Sequence, residues 1–188
     1  MQRCLAREVQ RCDVFYDVGA NVGFYSLMAA VINDRGKVYA FEPLPENLNY
    51  LRRHIELNRI SNIEVLPLAI ANVEGSALFK PGEVRETGRL GPDGNLQVQV
   101  TTLDALLQRE EIAPPHCIKM DIEGGELRAL EGAKGSFTKY RPRLFLSTHS
   151  RELYAECCRL LTAWNYELRH IRQLTEDGDE MFALPSAF

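Results

Sequence analysis

Short runs of β-branched and aromatic residues alternate along this chain with longer stretches in which apolar positions recur every three or four residues. Runs of the first kind suit buried strands and those of the second suit amphipathic helices, so the alternation predicts a parallel sheet joined by crossover helices. The expected order begins with a short helix over 1–12, a strand over 14–18, a helix over 22–32 and a strand over 37–41. Pro43 and Pro45 then open a helix reaching Asn58, with Leu48, Leu51, Ile55 and Leu57 inward and Arg52, Arg53 and Glu56 in water. Strands are expected over 63–70, 77–79 and 96–101, then a short helix over 103–109 and a strand over 116–120. A helix over 123–134, a strand over 143–147, a helix over 151–164 and strands over 166–171 and 180–184 complete the pattern.

This order predicts an α/β fold: a Rossmann-like, doubly wound, mostly parallel sheet of about seven strands with helices on both faces. A length of 188 residues fits one domain. The segment PGEVRETGRLGPDGN, residues 81–95, is rich in glycine, proline and charge, and reads as a mobile loop that could act as a lid. A net charge of −4 gives no reason to expect a nucleic-acid backbone or an anionic membrane as partner. Small or neutral substrates are favoured instead. No apolar run approaches the roughly 20 residues of a membrane span, and the charged opening MQRCLAREVQRCD lacks the core of a secretion signal, so a cytoplasmic location is expected. The five cysteines form no C-x-x-C pair and read as reduced, mostly buried thiols. Arg52-Arg53-His54 and the group Lys139, Arg141 and Arg143 read as solvated surface.

Chemistry enters at DVGANVG, where the first strand hands over to a helix. Gly19 suits a positive φ or a close backbone approach, and Gly23 lets the helix lie near the sheet. The helix start is expected to point free amides into the cleft. Glu42 ends the second strand, placed to accept two hydrogen bonds from a ribose diol. Asp17 can order the loop or receive a ligand's ammonium. Asp17, Gly19, Ala20, Asn21, Gly23, Glu42 and Pro43 therefore form a candidate cofactor cradle. A dinucleotide fingerprint would carry a second glycine where this chain has Asn21, and an acidic residue before the turn suits a cationic sulfonium and ammonium better than a diphosphate. S-adenosylmethionine, leaving as S-adenosylhomocysteine, is the expected cofactor.

Ligands of such sheets bind beyond the carboxyl ends of the strands, which should also bring Asn72, Asp121 and His149 to the rim. Asn72 joins the cofactor set. Asp121 is expected to bind the methionine amino group or the substrate hydroxyl, and His149 to take the hydroxyl proton. Lys119, a charge within an apolar strand, must pair with a carboxylate such as Asp17 or Glu123, or reach the sheet end, and is assigned to organising the site. Glu123 and Glu126 suit the first turn of the next helix. Asp121, Glu123 and His149 could also hold a divalent cation, although nothing in their spacing demands one, and no separate metal site is predicted. The fourth strand ends in M-D-I-E rather than the N-P-P-Y type of tetrad, which disfavours methylation of nucleic-acid bases.

With DVGANVGFYSL, YAFEPLPENLNYLRRHIELN, IEVLPLAIANVEG, TTLDALL and IKMDIEGGELRALEGA in this order, the sequence resembles the FkbM family of S-adenosylmethionine-dependent methyltransferases over about residues 14–149. The resemblance implies the class I methyltransferase fold and O-methylation of a hydroxyl on a sugar, polyketide or related small metabolite. Thr148 departs from the family, which has glutamate before the histidine, and only about a dozen residues precede the glycine turn, where members carry a longer segment. A nicotinamide-dependent oxidoreductase, or a non-catalytic binding module of the same fold, is the alternative.

Overall fold

A computed structural model describes residues 1–81, 88–173 and 179–186. The amphipathic opening forms α1 (Gln2–Val9), and the apolar runs that follow alternate as β1 (Val14–Val18), α2 (Phe24–Ile32), β2 (Lys37–Phe41) and α3 (Pro45–Leu57). Short strands come next: β3 (Ile63–Leu66), β4 (Ala69–Ile70), β5 (Gly75–Pro81), β6 (Gly88–Leu90) and β7 (Leu96–Thr101). The chain continues through α4 (Leu103–Gln108), β8 (Cys117–Met120), α5 (Glu126–Glu131), α6 (Lys134–Tyr140) and β9 (Arg143–Ser147). It closes with α7 (Arg151–Ala163), β10 (Tyr166–Gln173) and β11 (Asp179–Pro185).

Seven strands form one sheet in the order β10-β11-β9-β8-β1-β2-β3. Its members from β9 to β3 run parallel, and β11 lies antiparallel between β9 and β10. The order reverses direction between β1 and β8, and that switch point is where an open α/β sheet forms its crevice. Side chains alternate between the faces with the two-residue period of a strand. Tyr16, Val18, Ile118, Met120, Leu144 and Leu146 pack on one face with Leu130, Phe137 and Leu161. Phe15, Val38, Cys117, Phe145 and Phe182 pack on the other with Leu5, Val9, Ala29 and Ala30. A salt bridge from Arg143 to Glu8 ties α1 to β9. Among the described residues, no helix is long and apolar enough to cross a membrane.

Three expectations need correction. The strand expected over 63–70 is two strands in different sheets, because Pro67 has no N–H to continue a ladder; β3 stays in the main sheet while β4 pairs with β7. A second, four-stranded sheet, β4-β7-β5-β6, therefore stands beside the first. The helix expected over 123–134 begins only at Glu126, since Glu123 (φ 57°) and Gly124 (φ 99°) are left-handed, and a break at Gly132 separates it from α6. The loop expected over 81–95 is partly ordered: β6 pairs antiparallel with β5, and the Gly94 and Asn95 amides are hydrogen-bonded. Residues 82–87 of that loop lie outside the described residues.

Candidate active site at the sheet switch point

The glycine turn is held by the end of the neighbouring strand. The Gly19 and Ala20 amides donate to Phe41 O at 3.0 and 2.9 Å, and the Asn21 amide donates to Glu42 Oε2 at 2.9 Å. Gly19 has φ 85°, and a Cβ there would stand 2.0 Å from Asp121 O, so both conformation and space require glycine. A Cβ on Gly23 (φ 97°) would meet Leu51 Cδ1 of α3 at 2.3 Å. Asn21 is left-handed at φ 52°, a conformation asparagine tolerates, and its Oδ1 accepts from the Val22 amide at 2.6 Å. Residues 19–23 thus spend their amides within the protein.

Glu42 links this turn to the start of α3. Its Oε1 accepts from the Leu44 amide at 2.9 Å and from Asn47 Nδ2 at 3.3 Å. A carboxylate has about four acceptor sites, and three are used, so about one remains for a ribose hydroxyl rather than the two expected. Burial raises the Glu42 carboxyl above its ordinary range, against the opposing hydrogen bonds. His54, expected on the solvated surface, instead donates from Nδ1 to Val22 O at 2.8 Å and so braces the turn from α3. Arg141 and Arg143 are likewise engaged, the first with the carbonyls of Trp164 and Asn165 and the second with Glu8.

A cavity of about 590 Å³ opens over these elements, within the range of small-molecule sites, about 300–1,000 Å³. Gly19, Ala20, Asn21, Glu42 and Pro43 line it together with Lys119, Asp121 and Glu123. Leu68, Ile70 and Phe79 wall it from the side of the small sheet. Asp17 lies beneath it, wholly buried, with Oδ2 accepting from Ser26 Oγ at 2.6 Å and Oδ1 without a partner. Burial raises this carboxyl, with Lys119 and Ser26 opposing. Asn72 does not join the cavity; it is exposed and donates to Glu131 Oε2 at 2.8 Å, because its chain has already left the main sheet for β4.

Lys119 does pair, but with Asp121 Oδ2 at 3.0 Å, and its Nζ stands 4.6 Å over the Tyr25 ring. His149 sits at the end of β9, outside the cavity lining, among three carboxylates: Nε2 is 3.0 Å from Asp121 Oδ1 and 3.5 Å from Glu126 Oε1, and Nδ1 is 3.3 Å from Glu123 Oε2. Burial opposes the charged imidazole, and these carboxylates overcome it, raising the His149 pKa. Burial would also raise Asp121, yet its bonds with His149 and Lys119 hold it well below the usual carboxylate range. Glu126 is fully buried, accepts from the Ile122 and Gly124 amides at 3.0 and 3.1 Å, and is raised mainly by burial. Thr148, at the family's glutamate position, is buried and bonds the Asp179 backbone, joining β9 to β11.

Tyr25, Asn47 and His54 were not found by sequence reasoning. The helical spacing of α2 and α3 offered the only signal, and it does not distinguish an inward polar contact from a solvated one.

A switch-point crevice with a glycine turn and a strand-end carboxylate defines the class I methyltransferase architecture. The match to the methyltransferase FkbM domain extends over residues 17–181, and the chain belongs to that family. The hexuronic acid methyltransferase AglP of Haloferax volcanii is 27% identical over 132 residues, covering 69% of this chain and 54% of that protein. Methyltransferase sdnD of Sordaria araneosa is 26% identical, covering 62% of this chain and 58% of that one. The chain thus spans little more than half the length of these relatives. Among solved structures, a methyltransferase FkbM from Methylobacillus flagellatus superposes with a TM-score of 0.62 at 24% identity, covering 91% of this chain and 43% of that one. A precorrin-6y C5,15-methyltransferase from Geobacter metallireducens gives 0.63 at 14% identity, covering 98% and 87%.

Proposed function

We propose that this chain is a single methyltransferase domain, working in the cytoplasm, that transfers a methyl group from S-adenosylmethionine to a hydroxyl of a small metabolite or sugar. The observation that carries the reading is one continuous cavity running from Glu42 and the glycine turn to Asp121 and Glu123. The residues fit the cofactor: Glu42 keeps an acceptor site for a ribose hydroxyl, and the carboxyl groups of the wholly buried Asp17 and the half-buried Asp121, on either side of the glycine turn, favour a cation. When bound, S-adenosylmethionine supplies a methyl group on an electrophilic sulfonium.

The chain's own part is positioning. The turn between Gly19 and Gly23 and the Glu42 carboxylate orient the nucleoside end. Asp121 and Glu123 face the acceptor end, where a carboxylate oxygen accepts a hydrogen bond from the hydroxyl and aims its lone pair. His149 and Lys119 hold Asp121 in place. The AglP relative, by name a hexuronic acid methyltransferase, supports a hydroxylated sugar as acceptor. Calorimetry with S-adenosylhomocysteine and with NAD tests the reading. The expected result is saturable binding of the first and none of the second; NAD binding alone would favour an oxidoreductase, and binding of neither would end the cofactor assignment.

A further inference from the structure

We propose that Arg128, assisted by Arg89, recognises an anionic group, a carboxylate or a phosphate, on the methyl acceptor. The charged residues of the cavity lining are Glu42, Asp121 and Glu123 on the acidic side and Lys119, Arg89 and Arg128 on the basic side. The acidic ones are engaged within the protein. Glu42 holds the Asn21 and Leu44 amides, Asp121 is paired with Lys119, and Glu123 faces His149 Nδ1 at 3.3 Å. Arg128, by contrast, is exposed and makes no side-chain hydrogen bond or ion pair among the described residues.

The local backbone explains where Arg128 stands. A Cβ on Gly132 would lie 2.0 Å from Ala71 O, so α5 ends tight against the chain that leaves β4. The Gly132 amide donates to Arg128 O at 3.0 Å, which puts Arg128 one helical turn before that approach and on the same face of α5. Ile70 and Ala71 line the cavity on this flank.

Arg89 reaches the cavity from the small sheet itself, on β6. Its Nη2 is 3.4 Å from Asp93 Oδ2, an oxygen that Lys80 Nζ already holds at 2.8 Å. A guanidinium has five N–H donors in a planar fork, so Arg89 keeps most of its capacity and Arg128 keeps all of it. Two such forks on one cavity suit an oxyanion, which they can bind bidentately.

Discrimination follows from desolvation. An acceptor that enters the cavity covers part of its lining, and a neutral one would take water from Arg128 while returning no charge. An anionic acceptor replaces that water with charge-assisted hydrogen bonds. The inference deepens the methyl-transfer reading and rests on it for the presence of an acceptor.

Glucuronate, glucose 6-phosphate and glucose, titrated into the whole chain with and without saturating S-adenosylhomocysteine and followed by ligand-observed NMR, test the site. At least one of the two anionic sugars is expected to bind at least about tenfold more tightly than glucose, and which of them does so separates a carboxylate site from a phosphate site. That preference should vanish in Arg128→Gln and shrink in Arg89→Gln, while the affinity of both variants for S-adenosylhomocysteine stays within about twofold of the native value. Circular dichroism checks that both fold. Binding of none of the sugars, equal binding of all three, or a preference that survives Arg128→Gln would overturn the proposal. So would a roughly tenfold loss of S-adenosylhomocysteine affinity in Arg128→Gln, since it would assign the guanidinium to the cofactor's own carboxylate. Nucleoside binding without an anion preference sinks this inference alone; an anion preference without nucleoside binding sinks the methyl-transfer reading alone.

Discussion

Glu42 is buried because it closes two backbone turns at once, accepting from Asn21 on one side and Leu44 on the other. Its raised pKa means that the folded chain holds the proton more tightly than the unfolded chain does. The Glu42 contribution to stability is therefore fully present at low pH and is lost as pH rises through the window above the ordinary value of 4.5. In Glu42→Gln that window disappears. Urea melts at stepped pH should show the native sequence losing stability relative to the glutamine variant as pH rises, and a flat difference would contradict the assignment. The same variant should bind S-adenosylhomocysteine about tenfold or more weakly, about 1.4 kcal/mol. Gly19 and Glu42 were legible in sequence because their roles follow from local backbone demands: a left-handed turn and a strand end. His54 and Asn47 were not, since only the docking of α3 on the turn gives them partners.

The helices and strands were legible wherever a run of apolar positions was uninterrupted, as for β1, β2 and β9, whose bounds match those read from the sequence. Errors gathered where one residue breaks a ladder. Pro67 divides a run that looks continuous, and the left-handed Glu123 and Gly124 delay α5 by about a turn. Contacts between elements left no mark on the pattern at all. Asp104 in α4 accepts from the Gly135 and Ser136 amides, both at 2.7 Å, capping α6 from a distant part of the chain. Asp104→Ala should lower stability by about 1–2 kcal/mol in urea melts, as loss of a charged N-terminal cap does. Its affinity for S-adenosylhomocysteine should not change; a loss of affinity would mean that α6 supports the cavity.

At the scale of the whole molecule, the two packed faces of the sheet decide which thiols meet solvent. Cys12, Cys117 and Cys157 are buried, while Cys4 and Cys158 are half-buried. Burial pushes the Cys12 thiol up to about 11 and the Cys157 thiol up to about 12, so neither offers much thiolate near neutrality. A disulfide exchange reagent should modify no more than Cys4 and Cys158 in the native protein, and all five cysteines after denaturation. Rapid modification of all five without denaturant would show that the sheet faces open readily. The sequence conveyed that these thiols are reduced and mostly buried, but not which face each one joins.

The position of β11 between β9 and β10 bears on how the protein is made. Strands β1, β2, β3, β8 and β9 can associate in the order in which a ribosome delivers them, but the outer edge of β9 stays open until residues 179–185 have emerged. Until then the nascent chain carries Leu144, Phe145 and Leu146 on a strand with one unpaired edge, a template for pairing with another copy. Synthesis that stalls before this point should yield aggregates rather than a slightly shortened soluble domain.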